Sequence, residues 1–223
     1  MTADPRAVLC FGDSLTWGYD PRSGADAIRY GFTERWTRRL QAELGSSYYV
    51  IEDGLSGRTT VFDDPVMGDM SGLAHLPTAL STHMPLDIVV IMLGTNDAKT
   101  LYGVNGDIIA RSLGRLLDVV SKSGCGPGGE APKTLVVVPP AMGDVSGTLL
   151  EPLFDPLHSR AAIERLRETY PGIAAAFGAH CFDINQVVGP GITDGIHFDP
   201  ESLQPVATAL AATIRSLFGD AIG

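Results

Sequence analysis

Cysteine is scarce in this sequence, and its few copies are far apart. Cys10, Cys125 and Cys181 are the three cysteines among 223 residues, and no two of them have CxxC spacing. The histidines also lack the spacing of metal ligands, so the sequence predicts neither a zinc site nor a disulfide framework. The glycine-rich stretch Gly124 to Lys133 lies between a predicted helix and a predicted strand, the reverse of a dinucleotide-binding loop. We therefore expect no metal and no cofactor.

Long hydrophobic runs are also absent. The longest, Ile88 to Leu93, is far too short to cross a bilayer. The first residues contain only a short apolar run, Ala7 to Phe11, before Gly12, which is too little for the hydrophobic part of a secretory signal. From these two observations we expect a cytoplasmic protein with no membrane partner.

Positive charge is in short supply as well. The chain has 16 Lys and Arg against 26 Asp and Glu, a formal net charge of −10, and its basic residues form no cluster beyond Arg38 and Arg39. Such a surface repels a phosphate backbone, so we expect no nucleic-acid partner. The 44% hydrophobic content suits a folded core, and the length fits one domain, residues 1–223.

Five short apolar runs rich in β-branched residues predict strands that are buried on both faces. These runs are Ala7 to Phe11, Tyr48 to Ile51, Leu86 to Leu93, Thr134 to Val138 and His180 to Ile184. Helical spacing is found in Glu34 to Leu44, Ile108 to Val120, Asp155 to Tyr170 and Asp199 to about Phe218. This alternation predicts an α/β fold with a mostly parallel sheet covered on both sides. In such sheets the ligand site forms beyond the carboxyl ends of the strands.

Ser14 lies at a strand end of this kind, in the stretch LCFGDSLTWG from Leu9 to Gly18. A serine hydroxyl is a poor nucleophile unless a base accepts its proton. A turn that makes local backbone hydrogen bonds explains the motif equally well when it is taken alone. The motif by itself therefore leaves Ser14 as either a nucleophile or a turn residue.

The stretch TDGIHF, Thr193 to Phe198, supplies a base of the required kind. Asp194 precedes His197 by three residues, and Gly195 lets the backbone turn so that the carboxylate reaches one imidazole nitrogen. The other nitrogen is then free to face a nucleophile. The alternative is a solvated loop histidine beside a capping aspartate.

Two further polar turns follow predicted strands. IMLGTNDAK, Ile91 to Lys99, presents the Asn96 amide, and EDGLSGRTT, Glu52 to Thr60, presents the Gly57 N–H. Both groups can donate hydrogen bonds to an oxyanion. Taken singly, each is also explained by a glycine-rich turn, and the Asn96 stretch by an Asx-turn in which Asp97 caps a following helix. Together with Ser14 and the Asp-His pair they form a complete set of groups for acyl transfer.

The sequence resembles the SGNH hydrolases, also called GDSL esterases and lipases. Four blocks of that family occur in order: GDSLTWG with Ser14, GLSGRT with Gly57, GTND with Asn96, and DGIH with Asp194 and His197. The match spans nearly the whole chain. The longer stretches around these blocks look like the bacterial arylesterase and acyltransferase branch in particular. The resemblance implies a flavodoxin-like three-layer α/β/α sandwich with a five-stranded, mostly parallel sheet.

The resemblance also implies an activity and a role for each of these residues. Ser14 would be the nucleophile, His197 the base and Asp194 its orienter, and the oxyanion hole would consist of Ser14 N–H, Gly57 N–H and the Asn96 side chain. Relatives in this branch cleave short-chain and aryl esters, sometimes pass the acyl group to alcohols, and often form homo-oligomers, including octamers. We therefore expect a serine esterase that acts on small-molecule esters.

Several alternatives stay open at this point. Some relatives in the wider family deacetylate sugars, so a carbohydrate O-deacetylase would use the same triad, and a non-catalytic flavodoxin-like ligand-binding module would use the same strand ends. The segment Ala141 to His158 matches no family block, and we expect it to shape the acyl pocket or a subunit contact. Asp13 is interpreted as structural, whereas Arg58 could bind a substrate carboxylate or pair with an acidic residue.

Overall fold

The computed structural model describes residues 4–220 and contains a five-stranded sheet. The strands are β1 (Arg6–Gly12), β2 (Tyr48–Gly54), β3 (Ile88–Met92), β4 (Lys133–Val138) and β5 (His180–Asp183). All four pairings are parallel, and the spatial order is β2-β1-β3-β4-β5. This is the flavodoxin-like order, in which the direction of winding reverses between β1 and β3. The predicted fold class is confirmed, with a sheet that is parallel throughout.

Helices cover both faces of the sheet and enclose two hydrophobic cores. They are α1 (Ser14–Trp17), α2 (Trp36–Leu44), α3 (Gly72–His83), α4 (Gly106–Ser121), α5 (His158–Ala176) and α6 (Pro200–Phe218). Along β1, Leu9 and Phe11 point into the core beneath α3, α4 and α5, while Val8 and Cys10 point into the core beneath α2 and α6. This alternation explains why the strand reads as a continuous apolar run. Within residues 4–220, no helix is long and apolar enough to span a membrane.

Two helices depart from the sequence prediction, and a proline lies in each. Helix α3 was missed because Pro77 interrupts its helical pattern; Ser71 caps it by accepting a hydrogen bond from the Ala74 N–H. Helix α5 continues through Pro171 to Ala176, although proline normally ends a helix. Tyr170 is fully buried there and donates a hydrogen bond to the Leu93 carbonyl. Tertiary packing thus outweighs the local cost of the proline.

The order of the strands brings three separate turns together. Strand β1 lies between β2 and β3, and the carboxyl ends of all three reach the same edge of the sheet. Ser14 follows β1, Gly57 lies in the turn after β2, and Asn96 lies in the turn after β3. The fold therefore gathers these residues at one place, although they are far apart in sequence.

Candidate active site

Asp13 holds the turn that presents Ser14. Asp13 is the N-cap of α1, and its Oδ1 accepts a hydrogen bond from the Leu15 N–H at 2.9 Å. The side chain is fully buried, while Ser14 itself is 7% exposed. The geometry agrees with the structural role predicted for Asp13, since its carboxylate caps the helix and does not reach the histidine.

Ser14, His197 and Asp194 form one hydrogen-bonded chain. The Ser14 Oγ lies 2.8 Å from His197 Nε2, and His197 Nδ1 lies 2.6 Å from Asp194 Oδ2. All three side chains are buried. The serine can therefore pass its proton to the imidazole, and the carboxylate can stabilise the imidazolium that results.

The loop around Asp194 is fixed by its own hydrogen bonds. Asp194 Oδ1 accepts from the N–H groups of Ile196 and His197, at 2.9 Å and 2.8 Å. Burial alone would raise the pKa of Asp194, but the hydrogen bonds and the nearby His197 outweigh it and lower that pKa below its ordinary value. Gly195 has φ = 81°, and a Cβ there would lie 2.5 Å from the Asp144 carbonyl oxygen. Only glycine fits at position 195.

Tyr19 stacks on the imidazole, a contact that the sequence analysis missed. The ring centroids of Tyr19 and His197 are 4.2 Å apart, with an angle of 28° between the planes. The Tyr19 hydroxyl donates a hydrogen bond to the Gly24 carbonyl at 2.6 Å, which holds the ring in place. No sequence motif signals this contact, because it depends on how the loop after α1 folds back over His197.

The Asn96 amide faces the same cavity as the serine. Its Nδ2 donates to the Arg58 carbonyl at 3.1 Å and lies 3.5 Å from Asp13 Oδ2, which is long for a hydrogen bond. One amide hydrogen is therefore weakly held and available to an oxygen in the cavity. Gly57 also lines the cavity, and its positive φ of 91° suits a residue without a side chain.

Arg58 is occupied inside the protein. It is 5% exposed, forms an ion pair with Asp53 at 2.9 Å, and donates to the Gly12 carbonyl at 2.9 Å. Its guanidinium lies over the Phe11 ring, 4.0 Å from the centroid. Of the two roles considered for Arg58, the geometry matches pairing with an acidic residue.

Three buried ionisable side chains, Asp13, Asp97 and Lys99, lie next to the site. Asp97 accepts hydrogen bonds from the Thr60 backbone N–H and hydroxyl, which ties the turn after β3 to the turn after β2. Burial raises the pKa of Asp13 and the pKa of Asp97 each to about 6. Lys99 is also buried, with its Nζ 3.9 Å from Asp64, and burial lowers its pKa. These groups support the turns that carry Asn96 and Gly57.

Two cavities adjoin the Ser14–His197–Asp194 chain. The first, called here the serine cavity, has a volume of about 150 Å³ and is lined by Ser14, Gly57, Asn96 and His197 together with Lys99, Leu153, Phe154 and Ile196. The second, called the outer cavity, has a volume of about 370 Å³ and is lined by Pro21, Ala25, Thr148, Leu149, Thr193 and Asp194 among others. Tyr19 and Leu150 line both. The segment 141–158 thus contributes walls to each cavity.

Metal ligands are not grouped in the described part of the chain. Within residues 4–220, no three His, Cys, Asp or Glu side chains lie close enough together to hold an ion.

A flavodoxin-like sheet with a serine, a histidine and an aspartate in one hydrogen-bonded chain at its carboxyl edge has the arrangement of groups that a serine hydrolase requires. The model of the GDSL-like lipase/acylhydrolase family matches residues 10–202. The chain therefore belongs to the GDSL-like lipase/acylhydrolase family.

Solved structures and a curated relative extend this assignment. The chain is 39% identical to the aryl esterase of M. smegmatis, covering 95% of this chain and 99% of the other with a TM-score of 0.89. It is 37% identical to a carbohydrate acetylesterase from Sinorhizobium meliloti, covering 96% and 100% with a TM-score of 0.89. An acetylxylan esterase from Xylanibacter ruminicola is 26% identical over 95% of this chain. The chain spans 44% of the length of that relative.

Proposed function

We propose that this protein is a serine esterase that hydrolyses short-chain and aryl carboxylic esters through an acyl-enzyme on Ser14. The observation that carries the proposal is the hydrogen-bonded chain from Ser14 through His197 to Asp194, beside a cavity lined by Gly57 and Asn96. Acyl transfer needs a nucleophile, a base, an orienter and an oxyanion site, and each has a counterpart here.

Acylation begins when Ser14 Oγ attacks the ester carbonyl carbon and passes its proton to His197 Nε2. Asp194 stabilises the imidazolium, and the oxyanion is held by the N–H groups of Ser14 and Gly57 and by the Asn96 amide. The tetrahedral intermediate then collapses. The carbon–oxygen bond to the alcohol breaks, and His197 returns the proton to the departing alcohol.

Deacylation repeats these steps with a new nucleophile. His197 removes a proton from a water molecule, which attacks the acyl carbon. The bond between that carbon and Ser14 Oγ then breaks, His197 returns the proton to Ser14, and the carboxylic acid leaves. An alcohol in the same position would give a new ester, so the site supports acyl transfer as well as hydrolysis. The balance between the two depends on how well an alcohol competes with water next to His197.

The size of the serine cavity favours short acyl groups. Its volume of about 150 Å³ is small beside the roughly 300–1,000 Å³ of a typical ligand pocket. Leu153, Phe154 and Ile196 line it with apolar side chains. Such a cavity suits acetyl and similarly small acyl groups.

Labelling and kinetics with a matched variant test the proposal. A fluorophosphonate should form one covalent adduct on Ser14 in the wild type and none in Ser14→Ala, as read by mass spectrometry. The wild type should hydrolyse p-nitrophenyl acetate, and Ser14→Ala should not. A protein that neither takes up the label nor hydrolyses the ester would instead be the non-catalytic ligand-binding module.

A carbohydrate O-deacetylase is the second candidate. The specific observation in its favour is the likeness to the carbohydrate acetylesterase from Sinorhizobium meliloti and to the acetylxylan esterase. The two activities share the triad and differ in the alcohol that leaves. A higher kcat/KM for an acetylated xyloside than for phenyl acetate would favour the deacetylase.

Location and assembly are also proposed. We propose a cytoplasmic protein that binds neither nucleic acid nor membrane, in keeping with its net charge of −10 and with its three unpaired cysteines, two of them buried. We also propose a homo-oligomer, with an octamer as one form. Leu149, Leu153 and Leu157 support it, since these side chains are exposed at four-residue spacing in the segment 141–158.

A further inference from the structure

We propose that Met67 is a reversible oxidation site, at which hydrogen peroxide converts the thioether to a sulfoxide and the sulfoxide blocks the oxyanion donors beside it. The effect on ester hydrolysis rests on the proposed esterase function. The oxidation itself can be measured without that function.

The Met67 thioether lies directly against Gly57. A Cβ at Gly57 would lie 3.1 Å from Met67 Cε and 3.3 Å from Met67 Sδ, with Met70 Sδ at 3.4 Å. Met67 and Gly57 both line the serine cavity, together with Ser14 and Asn96. The Met67 sulfur therefore borders the groups that would hold the oxyanion.

Hydrogen bonds fix the loop that carries Met67. Asp64 Oδ1 accepts from the N–H groups of Val66 and Met67, at 2.8 Å and 3.0 Å. Asp64 and Gly68 also exchange two backbone hydrogen bonds, at 3.0 Å and 2.8 Å. Asp64 is itself buried, with Lys99 Nζ 3.9 Å from its carboxylate. Met67 therefore has a defined position, and a chemical change at its sulfur affects one defined part of the cavity.

Met67 is open to a dissolved oxidant. Within residues 4–220 the exposed methionines are Met67 and Met84, at 52% and 51%. Met70 is half-buried, and Met92 and Met142 are buried. Peroxide can thus reach the Met67 sulfur from solvent, whereas the core methionines are shielded.

The cysteines compete poorly for the same oxidant. Peroxide reacts with the thiolate and not with the protonated thiol. Cys10 and Cys125 are buried. Burial raises the pKa of Cys181 to about 11, and it raises the pKa of Cys10 as well. At neutral pH the thiols of Cys10 and Cys181 therefore stay protonated.

Oxidation changes the Met67 side chain from a weak acceptor to a strong one. The sulfur attacks one peroxide oxygen, the oxygen–oxygen bond breaks, and the other oxygen leaves as water, so the sulfur is oxidised by two electrons. The sulfoxide that results is polar and accepts hydrogen bonds well. No acceptor among residues 4–220 takes the Gly57 N–H, and one Asn96 amide hydrogen is weakly held. The new oxygen would take these donors, which the oxyanion needs.

Peroxide treatment of the wild type and two leucine variants tests the inference. Met84→Leu is the matched control, because Met84 is equally exposed, follows the last residue of α3 and lines neither cavity. Peptide mass spectrometry locates the added oxygen, and hydrolysis of p-nitrophenyl acetate is expressed relative to the untreated rate of each protein. In the wild type and in Met84→Leu, kcat should fall about tenfold or more as Met67 is oxidised, the direction expected when an oxyanion donor is lost. Met67→Leu should keep its own untreated rate.

Two further measurements separate the sulfoxide from other damage. Methionine sulfoxide reductases with dithiothreitol should restore the rate, whereas dithiothreitol alone, which reduces oxidised cysteine but not the sulfoxide, should not. Met67→Gln places a carbonyl oxygen near the position of the sulfoxide oxygen. Without any peroxide it should therefore have a lower kcat than Met67→Leu.

The results distinguish the inference from the function on which it rests. Full activity with Met67 oxidised, or an equal loss on peroxide treatment in Met67→Leu, would overturn the inference and leave the esterase in place. An untreated wild type that does not hydrolyse p-nitrophenyl acetate would overturn the proposed function, and the inference with it. A rate that falls with oxidation of Met67, persists in Met67→Leu and returns with the reductases supports both.

Discussion

The turns that carry Ser14 and Asn96 lie beside the segment 141–158, and the exposed leucines of that segment differ from these turns in chemistry and burial. Around Ser14 and Asn96 the side chains are polar, buried and hydrogen-bonded to one another, and Asp97 and Asp13 are fully inaccessible. In the segment 141–158, Leu149 and Leu157 are apolar and exposed at 61% and 80%.

This difference in burial indicates which side chains the protein can replace at little cost. A buried polar group needs a partner of the right chemistry, so a change at one position leaves another group unpaired. An exposed apolar side chain has no such partner, and its replacement costs little. On the proposed mechanism, the polar turns would carry the reaction chemistry, and the segment 141–158, which lines both cavities, would tolerate more variation.

The largest effect should come from Ser14→Ala. Removing the nucleophile should lower kcat for p-nitrophenyl acetate by about 10⁴-fold or more, since the remaining groups cannot form the acyl-enzyme. The melting temperature should change little, because the serine hydroxyl makes its hydrogen bond to His197 and not to the core. Equal turnover by both proteins would remove Ser14 from the mechanism.

Asn96→Ala should have the next largest effect. The loss of one oxyanion donor should reduce kcat by roughly 10²- to 10³-fold, with a much smaller change in KM, because the amide acts mainly in the transition state. Steady-state kinetics with p-nitrophenyl acetate give both constants. An unchanged kcat would exclude Asn96 from the oxyanion hole.

Two variants of Tyr19 measure how much the stacked ring contributes to kcat. Tyr19→Ala should lower kcat by up to about tenfold, because the imidazole loses an aromatic contact worth about 0.5–1.5 kcal/mol. Tyr19→Phe keeps the ring and loses only the hydrogen bond to Gly24, so it should stay close to the wild type. If the two variants lose equal activity, the hydroxyl and not the stacking is what matters.

The buried carboxyl groups should give the fold a pH dependence. The pKa of Asp97 is raised from 3.8 to about 6, so the folded state holds a proton that the unfolded state has already released between these values. The free energy of unfolding should therefore fall as the pH rises from about 4 to 6, with Asp13 contributing in the same direction. Asp97→Asn should flatten this fall in urea titrations at several pH values. The same slope in both proteins would contradict the raised pKa.

The smallest effect on activity should come from Leu157→Ser. This side chain is exposed and lines neither cavity, so kcat/KM should change less than about twofold. Sedimentation velocity should nevertheless show a shift to smaller species, because the change removes apolar surface from the proposed contact. Ile108→Ser, at an exposed apolar residue on α4, is the control and should leave the assembly intact.

Local sequence was enough to predict most of the fold and to predict that the site residues lie close together. Each strand was visible as an apolar run, and Ser14, Gly57 and Asn96 each follow a strand, which places them at one edge of a parallel sheet. The stacking of Tyr19 on His197 was not predictable, because no motif marks Tyr19 and the contact depends on how its loop folds over the imidazole. The bond between Asp97 and Thr60 was missed for the same reason, since neither residue carries a local signal for its partner.

The hydrogen bond between Ser14 and His197 joins residues 183 positions apart. On the proposed mechanism, the reactive centre joins the turn after the first strand to a loop that follows the last strand. All five strands precede His197 in sequence, so a nascent chain would gain its base only after every strand has been made. Ester turnover during synthesis would therefore mark the moment at which the loop around Asp194 closes onto Ser14.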